Sequence, residues 1–264
     1  MMKVIKAFAA VLLLSGLAAL PAMASIRVAD DKSASTSGRT DAQIQEDVQK
    51  ALKDSKFKNV TVQVANGVVT LSGTVDLYAY KEEADRKVHH VKGIAAVQNL
   101  IEVGGTEVPD EVLQEKLLKK IEYDRVGYGT TPFNAIGVSV HNGVVVLSGH
   151  AYGPVDKESA LSAAKYMPGV KDVVDEIQVD PVSPMDDQIR LATARAIYGY
   201  PPLQKYAIDP GKPIRISVQN GVVSLYGTVD SEADKNMAYI RASGVPNVFK
   251  VNNYLQVENE KGKK

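Results

Sequence analysis

Three times along the chain, apolar and polar residues alternate on both sides of an Asn-Gly dipeptide. The octapeptides NGVVTLSG, NGVVVLSG and NGVVSLYG begin at Asn66, Asn142 and Asn220. Asn-Gly between two alternating runs predicts a β-hairpin, because a type I′ turn needs positive φ at both central residues and these two residues tolerate it. We therefore predict three hairpins, in each of which the octapeptide supplies the turn and the outgoing strand.

In the first hairpin, a two-residue turn fixes which residues face each other. Ala65 is then opposite Val68, and Val62 is opposite Leu71. Since successive side chains of a strand point to opposite faces, one face of the hairpin is apolar and the other is polar. The predicted core positions are Val60, Val62, Val64, Val69 and Leu71 in the first hairpin, and Ile214, Ile216, Val218, Val223 and Leu225 in the third.

The second hairpin follows this pattern less cleanly, since Val144 and Val146 fall on its outer face. One interpretation is the preference of valine for the half-buried surface of a sheet. The other is that this sheet packs against a neighbouring unit or a partner. The sequence is consistent with both.

Apolar residues at helical spacing precede each hairpin and predict an amphipathic helix. Each of these helices begins near an aspartate, Asp41, Asp110 or Asp186, which we expect to act as the N-terminal cap. A second helix, 78–91 in the first copy, and a short closing strand, 97–103, follow the hairpin. The order α-β-β-α-β predicts an α+β fold of three tandem small units, each a mixed three-stranded sheet with two helices packed on one face.

The hairpins recur after 76 and then 78 residues, which divides the chain of 264 residues into three small units. Glycine and proline residues at 104–109 and 181–184 mark the junctions. We predict unit 1 at 41–104, unit 2 at 109–180 and unit 3 at 185–258, with a flexible linker at 25–40 and a disordered tail at 259–264.

The first 24 residues have the pattern of a signal peptide. Lys3 and Lys6 precede an apolar run at 7–20, which ends in the small-x-small sequence Ala22-Met23-Ala24. The run is shorter than the roughly 20 residues that a bilayer core requires, which favours a cleaved signal over a membrane anchor. We therefore predict cleavage after Ala24 and a periplasmic or secreted mature protein.

Composition restricts the possible chemistry and partners. Basic and acidic residues number 31 each, so the chain has no global field that would attract nucleic acid, and we predict no such partner. The absence of cysteine excludes thiol catalysis and thiolate metal sites. His89 and His90 are adjacent on a helix, and His141 and His150 are not opposed in the hairpin, so no ligand spacing supports a metal site.

Catalytic motifs are missing as well. The sequence contains neither a glycine-rich phosphate loop nor a GxSxG motif. We predict no cofactor and no enzymatic activity.

The repeated pattern resembles the BON domain family. The resemblance rests on the Asp-led helix, the NGVVxLxG hairpin, a helix that ends near Gly93-Ile94 or Gly169-Val170, and the closing VxNxIxV at 97–103. The third copy departs from it with Asn247-Val248 at the helix end. The resemblance implies an exported or envelope protein that attaches to phospholipid surfaces or supports the envelope under osmotic and other stress, without catalysis. It implies no binding residues, since the recurring motif has a structural character.

Units 2 and 3 carry loops that unit 1 lacks. From the first core position of the helix to the hairpin Asn, the three units count 22, 29 and 31 residues. The inserted stretches, 123–133 and 198–213, hold five tyrosines and one phenylalanine of the chain's 16 aromatic residues. Tyrosine beside glycine and proline on a loop is typical of recognition surfaces, although the rings could instead cap their own small cores. The candidate contact residues are Tyr123, Arg125, Tyr128, Tyr198, Tyr200 and Tyr206.

The first helix of unit 2 is a second candidate surface. With its leucines inward, Lys116, Lys119 and Lys120 face outward near Arg125 and form a basic patch that could contact lipid phosphate. Interleaved acidic residues leave an ordinary solvated helix face as the alternative.

Two functional hypotheses follow from the sequence. One is an exported binding protein for the phospholipid membrane surface or envelope components, in envelope maintenance or osmotic stress. The other is a soluble periplasmic stress protein that holds unfolded exported polypeptides on apolar strips such as Val144 and Val146.

Overall fold

The computed structural model describes residues 27–28, 38–105, 107–124, 126, 128–209 and 211–258. The predicted signal peptide, most of the predicted linker and the predicted C-terminal tail lie outside these residues. Within the linker segment, Arg27–Val28 form a short strand, β1.

Unit 1 has the predicted order of elements: α1 (Asp41–Ala51), β2 (Val60–Ala65), β3 (Val68–Val75), α2 (Tyr78–His89), β4 (Ala96–Asn99) and β5 (Glu102–Val103). Strand β3 is central, with β2 antiparallel on one side and β4 parallel on the other. The hairpin register is the predicted one, because Ala65 lies opposite Val68 and Val62 opposite Leu71. Strand β1 pairs antiparallel with β4.

Units 2 and 3 repeat this topology, and the predicted α+β fold is confirmed. Unit 2 contains α3 (Asp110–Asp124), β6 (Ala135–His141), β7 (Val144–Ala151), α4 (Pro154–Lys165) and β8 (Asp172–Val179). Unit 3 contains α5 (Pro184–Tyr198), α6 (Lys205–Ile208), β9 (Arg215–Gln219), β10 (Val222–Tyr226), β11 (Thr228–Val229), α7 (Glu232–Ser243), β12 (Lys250–Asn253) and β13 (Gln256–Val257). Within the described ranges, no helix combines the length and apolar character that crossing a bilayer requires.

The three hairpin turns have the expected left-handed backbone. Asn66, Asn142 and Asn220 all have a φ of 51°. The glycine that follows each of them also has a positive φ, between 74° and 78°. Asparagine and glycine are therefore required here by the type I′ turn.

The aspartates at the helix starts have a different role from the one expected. Thr40 caps α1 and Ser183 caps α5, so the prediction that Asp41 and Asp186 are N-terminal caps is wrong. Asp41 instead accepts hydrogen bonds from the amides of Asn66 and Gly67, at 2.7 and 2.9 Å. The same clamp recurs from Asp110 to Asn142 and Gly143 and from Asp186 to Asn220 and Gly221. Each carboxylate thus fixes the start of the first helix against the hairpin turn of its unit.

Each unit has its own apolar core between the sheet and its two helices. In unit 3 all five predicted core positions of the hairpin are completely buried. In unit 1, Val60 and Val64 are only partly buried. Unit 3 covers its sheet more fully because Leu203 and Tyr206, from its insertion, join the core.

Candidate functional site

Helix α3 presents a basic face to solvent. Leu113 and Leu117 are buried against the sheet of unit 2. Lys116, Lys119 and Lys120 are exposed, and their spacing of three and four residues places them on one side of the helix. Within the described part of the chain, none of these three lysines forms an ion pair. The predicted outward direction of the lysines is therefore what the structure shows.

Two exposed apolar side chains continue this row along the helix. Val112 lies one turn before Lys116, and Tyr123 lies one turn after Lys119 and Lys120. We call these five residues the α3 surface. A row of lysines with an aliphatic and an aromatic end is suited to an anionic surface that also accepts apolar groups.

The acidic residues interleaved with the lysines are partly engaged elsewhere. Glu122 lies 3.8 Å from the Arg215 guanidinium of unit 3, and Asp124 accepts a hydrogen bond from Ser159. The pKa of Glu122 is raised, because the effect of burial is larger than that of the Arg215 charge, which lowers the pKa. Glu115 remains exposed beside the lysines.

The first insertion, 123–133, divides into an exposed and a buried part. Tyr123 and Tyr128 are 48% and 68% exposed, and Val126 is exposed between them. Arg125 lies outside the described residues. At the other end of the loop, Phe133 is 6% exposed and packs in the core of unit 3. The loop therefore both docks on the next unit and presents tyrosines to solvent.

The second insertion, 198–213, uses its tyrosines mainly inside unit 3. The Tyr198 hydroxyl donates to the Ile214 carbonyl, and burial raises the pKa of Tyr198. Tyr206 is 3% exposed, and burial raises its pKa to about 12. Tyr200 is half-buried against the same core, with the Arg241 guanidinium 5.3 Å from its ring centre. These three tyrosines therefore pack against the core of their own unit. Of the candidate tyrosines, Tyr123 and Tyr128 are the exposed ones.

The two insertions meet at the C-terminal end of α3. A Cβ atom at Gly211 would lie 3.6 Å from Glu122 Oε2 and 3.7 Å from the Tyr123 hydroxyl. The backbone of unit 3 therefore lies directly against the end of the α3 surface.

A buried polar network, which sequence analysis did not identify, joins units 2 and 3. Asp180 is almost completely buried and accepts hydrogen bonds from Ser217 and Gln219 at 3.0 Å. His150 Nδ1 lies 3.2 Å from the same carboxylate, and the buried Arg190 lies 3.4 Å from it. Burial alone would raise the pKa of Asp180. The hydrogen bonds from His150, Gln219 and Ser217 have the larger effect and hold this pKa below its ordinary value.

Backbone contacts reinforce this junction. Arg215 donates to the carbonyl oxygens of Thr131 and Asn134, at 3.3 and 2.9 Å. The junction is thus held by the buried Phe133, by Arg215 and by the Asp180 network. The residues of this junction come from separate segments of the chain, so no local sequence pattern predicts it.

The outer face of the unit 2 sheet keeps a small apolar strip. Val144 and Val146 are half-buried, and Val174 of β8, opposite Val146, is exposed. The described residues contain no cluster of three or more metal-ligating side chains.

Comparison with known proteins identifies the repeated unit. The BON domain family model matches residues 40–105, 109–181 and 203–259. Osmotically-inducible protein Y of Escherichia coli (strain K12) is 28% identical over 148 residues, which are 52% of this chain and 72% of that protein. An uncharacterized protein in the gshII 5′ region of Anaplasma centrale is 27% identical over 125 residues, which are 47% of this chain and 83% of that protein.

Among solved structures, the C-terminal domain of CdsD, the structural protein of the Type III secretion system of Chlamydia trachomatis, aligns with 83% of this chain and 100% of its own. Its identity of 14% and TM-score of 0.23 are too low to support a conclusion. The family matches are different, because together they cover more than half of the chain and each contains one of the repeated hairpins. The protein therefore belongs to the BON domain family.

Proposed function

We propose that the protein is a non-catalytic exported binding protein that associates with the phospholipid membrane surface or envelope components. The observation that carries this proposal is the α3 surface, with three exposed lysines between Val112 and Tyr123. Lipid phosphates attract the lysines, and the membrane interface accepts aromatic and aliphatic side chains.

The expected affinity is low and depends on salt. A lysine near an anionic membrane contributes about 1 kcal/mol, so three contribute about 3 kcal/mol when all lie close to the surface. Salt at physiological concentration screens charges beyond about 8 Å, which weakens this attraction further. The α3 surface alone therefore supports reversible attachment.

Two further observations support a role in envelope maintenance or osmotic stress. The similarity to a protein named for its osmotic induction supports the stress role. The predicted signal peptide supports a periplasmic or secreted location, although it lies outside the described residues.

Sedimentation with phospholipid vesicles tests the proposal. The mature chain, residues 25–264, is mixed with vesicles of phosphatidylcholine alone or with phosphatidylglycerol, at low salt and at about 150 mM salt. We expect binding to the anionic vesicles at low salt and less at high salt. Lys119→Glu with Lys120→Glu is expected to weaken it, because both lysines lie in the middle of the α3 surface.

A matched control separates the α3 surface from the net charge of the protein. Lys53→Glu with Lys58→Glu makes the same charge change at exposed positions of unit 1 and is expected to leave binding nearly unchanged. Equal losses in both double variants would assign the effect to net charge. Undiminished binding of the Lys119→Glu, Lys120→Glu variant would refute the role of the α3 surface.

A second candidate function is the holding of unfolded exported polypeptides. It is favoured by the apolar strip of Val144, Val146 and Val174 on the outer face of the unit 2 sheet. This function predicts suppressed aggregation of an unfolded client without lipid. Val146→Thr with Val174→Thr should then reduce the suppression, and charge reversal on α3 should not.

A further inference from the structure

The end of the α3 surface is shared between two units. Tyr123 lies at the C-terminal end of α3, in contact range of the unit 3 backbone at Gly211. Glu122, one residue earlier, lies 3.8 Å from Arg215 of unit 3. Any partner that covers this end of α3 therefore also approaches the second insertion.

The second insertion presents one strongly exposed aliphatic side chain at this place. Ile208 ends the short helix α6 and is 77% exposed. Its helix is firmly held, because the Tyr206 hydroxyl donates to Asp234 and accepts from the Asp230 amide, both at 2.7 Å. Lys205 adds ion pairs to the same two aspartates. Ile208 is thus exposed on an anchored element.

The chain geometry limits the distance between Ile208 and Tyr123. Gly211 is three residues after Ile208, and three residues span at most about 11 Å. Asp209 accepts a hydrogen bond from the Gly211 amide at 2.9 Å, so the Asp209 carboxylate lies beside the Gly211 backbone. Among the described residues of the two insertions, the exposed large apolar or aromatic side chains are Tyr123, Val126 and Tyr128 in the first and Ile208 in the second.

We propose that units 2 and 3 form one composite membrane-binding surface, in which the α3 lysines attract anionic phospholipid and Ile208 inserts into the bilayer interface beside Tyr123. This inference rests on the proposed function and extends it to unit 3. A bilayer fits this surface because three exposed lysines share one side of α3 with the exposed Val112 and Tyr123, whereas the exposed Glu111, Glu115 and Asp124 project from the flanks of the helix. Tyr206 acts as a positioning residue, since it holds the helix that carries Ile208.

The two parts of the surface differ in their response to salt. Attraction of lysines to anionic lipid is screened by salt, whereas insertion of an aliphatic side chain is not. Burying an isoleucine side chain accounts for roughly a tenfold difference in affinity when insertion is nearly complete. The contribution of Ile208 should therefore persist at the salt concentration that suppresses the contribution of the lysines.

Vesicle binding of Ile208→Ser tests the composite surface. The matched control is Val155→Ser, because Val155 on α4 is also strongly exposed and the change likewise leaves net charge unaltered. We expect Ile208→Ser to weaken binding to phosphatidylglycerol-containing vesicles about fivefold to tenfold at both salt concentrations, and Val155→Ser to have no effect.

The insertion itself can be observed with a fluorescent label. Because the chain has no cysteine, Ile208→Cys and Val155→Cys each provide a single labelling site for an environment-sensitive dye. A blue shift on anionic vesicles at position 208 and none at position 155 is the expected result. This measurement does not depend on the affinity difference between variants.

The outcomes separate this inference from the proposed function. If charge reversal of Lys119 and Lys120 weakens binding but Ile208→Ser does not, and the label at 208 does not shift, the composite surface is overturned and the proposed function stands. If the unaltered protein does not bind anionic vesicles, both are overturned. A loss of client holding in Ile208→Ser with unchanged vesicle binding would assign the surface to unfolded polypeptide and also overturn the inference.

Discussion

Truncating Phe133 to alanine is expected to destabilise unit 3, although Phe133 belongs to unit 2 by its position in the chain. Its side chain is buried in the core of unit 3, and its ring centre lies 5.7 Å from that of Tyr152. The cores of units 1 and 2 do not include Phe133. The variant therefore tests whether the stability of unit 3 depends on a residue outside its own repeat.

The size of the effect follows from the burial of the ring. Removing a phenylalanine side chain from a core costs about 3–5 kcal/mol, and the lower value applies where neighbouring loops can relax into the space. Phe133 lies next to such a loop, so we expect about 3 kcal/mol. Because each 1.4 kcal/mol is a factor of ten, amide exchange that requires opening of unit 3 should accelerate by about 150-fold.

Hydrogen exchange followed by mass spectrometry measures this effect separately in each unit. Peptides from β9 and β10 should exchange faster in Phe133→Ala, and peptides from unit 1 should not. Tyr128→Ala is the matched control, because Tyr128 lies in the same insertion and is largely exposed. Acceleration confined to unit 2, with β9 and β10 unchanged, would refute the assignment of Phe133 to the core of unit 3.

Two further predictions concern single positions. Gly149→Ala should lower the free energy of unfolding of unit 2 by more than about 2 kcal/mol, because Gly149 has a φ of 101° and a Cβ there would lie 2.1 Å from the Ala135 oxygen. Gly129→Ala, with a φ of 74° and open space around it, should cost only about 1 kcal/mol in urea unfolding, and equal costs would contradict this reasoning. The pKa of Asp180 is held below its ordinary value, so its carboxylate stabilises the junction above about pH 4 and this contribution is lost as the pH falls through the lower folded-state pKa. The stability difference between the unaltered protein and Asp180→Asn should therefore be large at about pH 7 and small at about pH 2, and a difference independent of pH would disprove it.

The sequence predicts those parts of the fold that local rules determine. The Asn-Gly turn sets the hairpin register, and the alternation of apolar residues then defines the core face. Both predictions are confirmed, as the pairing of Val62 with Leu71 and the burial of Leu71 illustrate. The sequence does not reveal the role of the aspartates, because an aspartate at the start of a helix can either cap that helix or accept hydrogen bonds from a distant turn. Only the approach of α1 to the hairpin distinguishes them.

The sequence predicts which side chains of the candidate site are exposed on helix α3, but it does not predict this for the two insertions. Helical spacing alone places Lys116, Lys119 and Lys120 outward on α3. Composition cannot separate Tyr206, which is buried, from Tyr128, which is exposed, since both lie in insertions that contain glycine and proline. Their positions are decided by contacts distant in sequence, such as that between Tyr206 and Asp234. The same reason explains why the Asp180 network escaped prediction.

The repeated residues build a scaffold, and the differences between the units lie at positions that the scaffold leaves free. One such position follows the second helix and lies against the hairpin turn, where the amides of Ala95, Lys171 and Phe249 donate to the turn glycines at 2.8, 2.9 and 2.9 Å. The backbone contact is the same in all three units, whereas the side chain is small, basic or aromatic. The insertions differ in the same way, since unit 1 has none, unit 2 packs part of its insertion on unit 3, and unit 3 uses most of its insertion to complete its own core. Three copies therefore give three different surfaces on one backbone design, and mutations that distinguish function from folding should be placed at these variable positions.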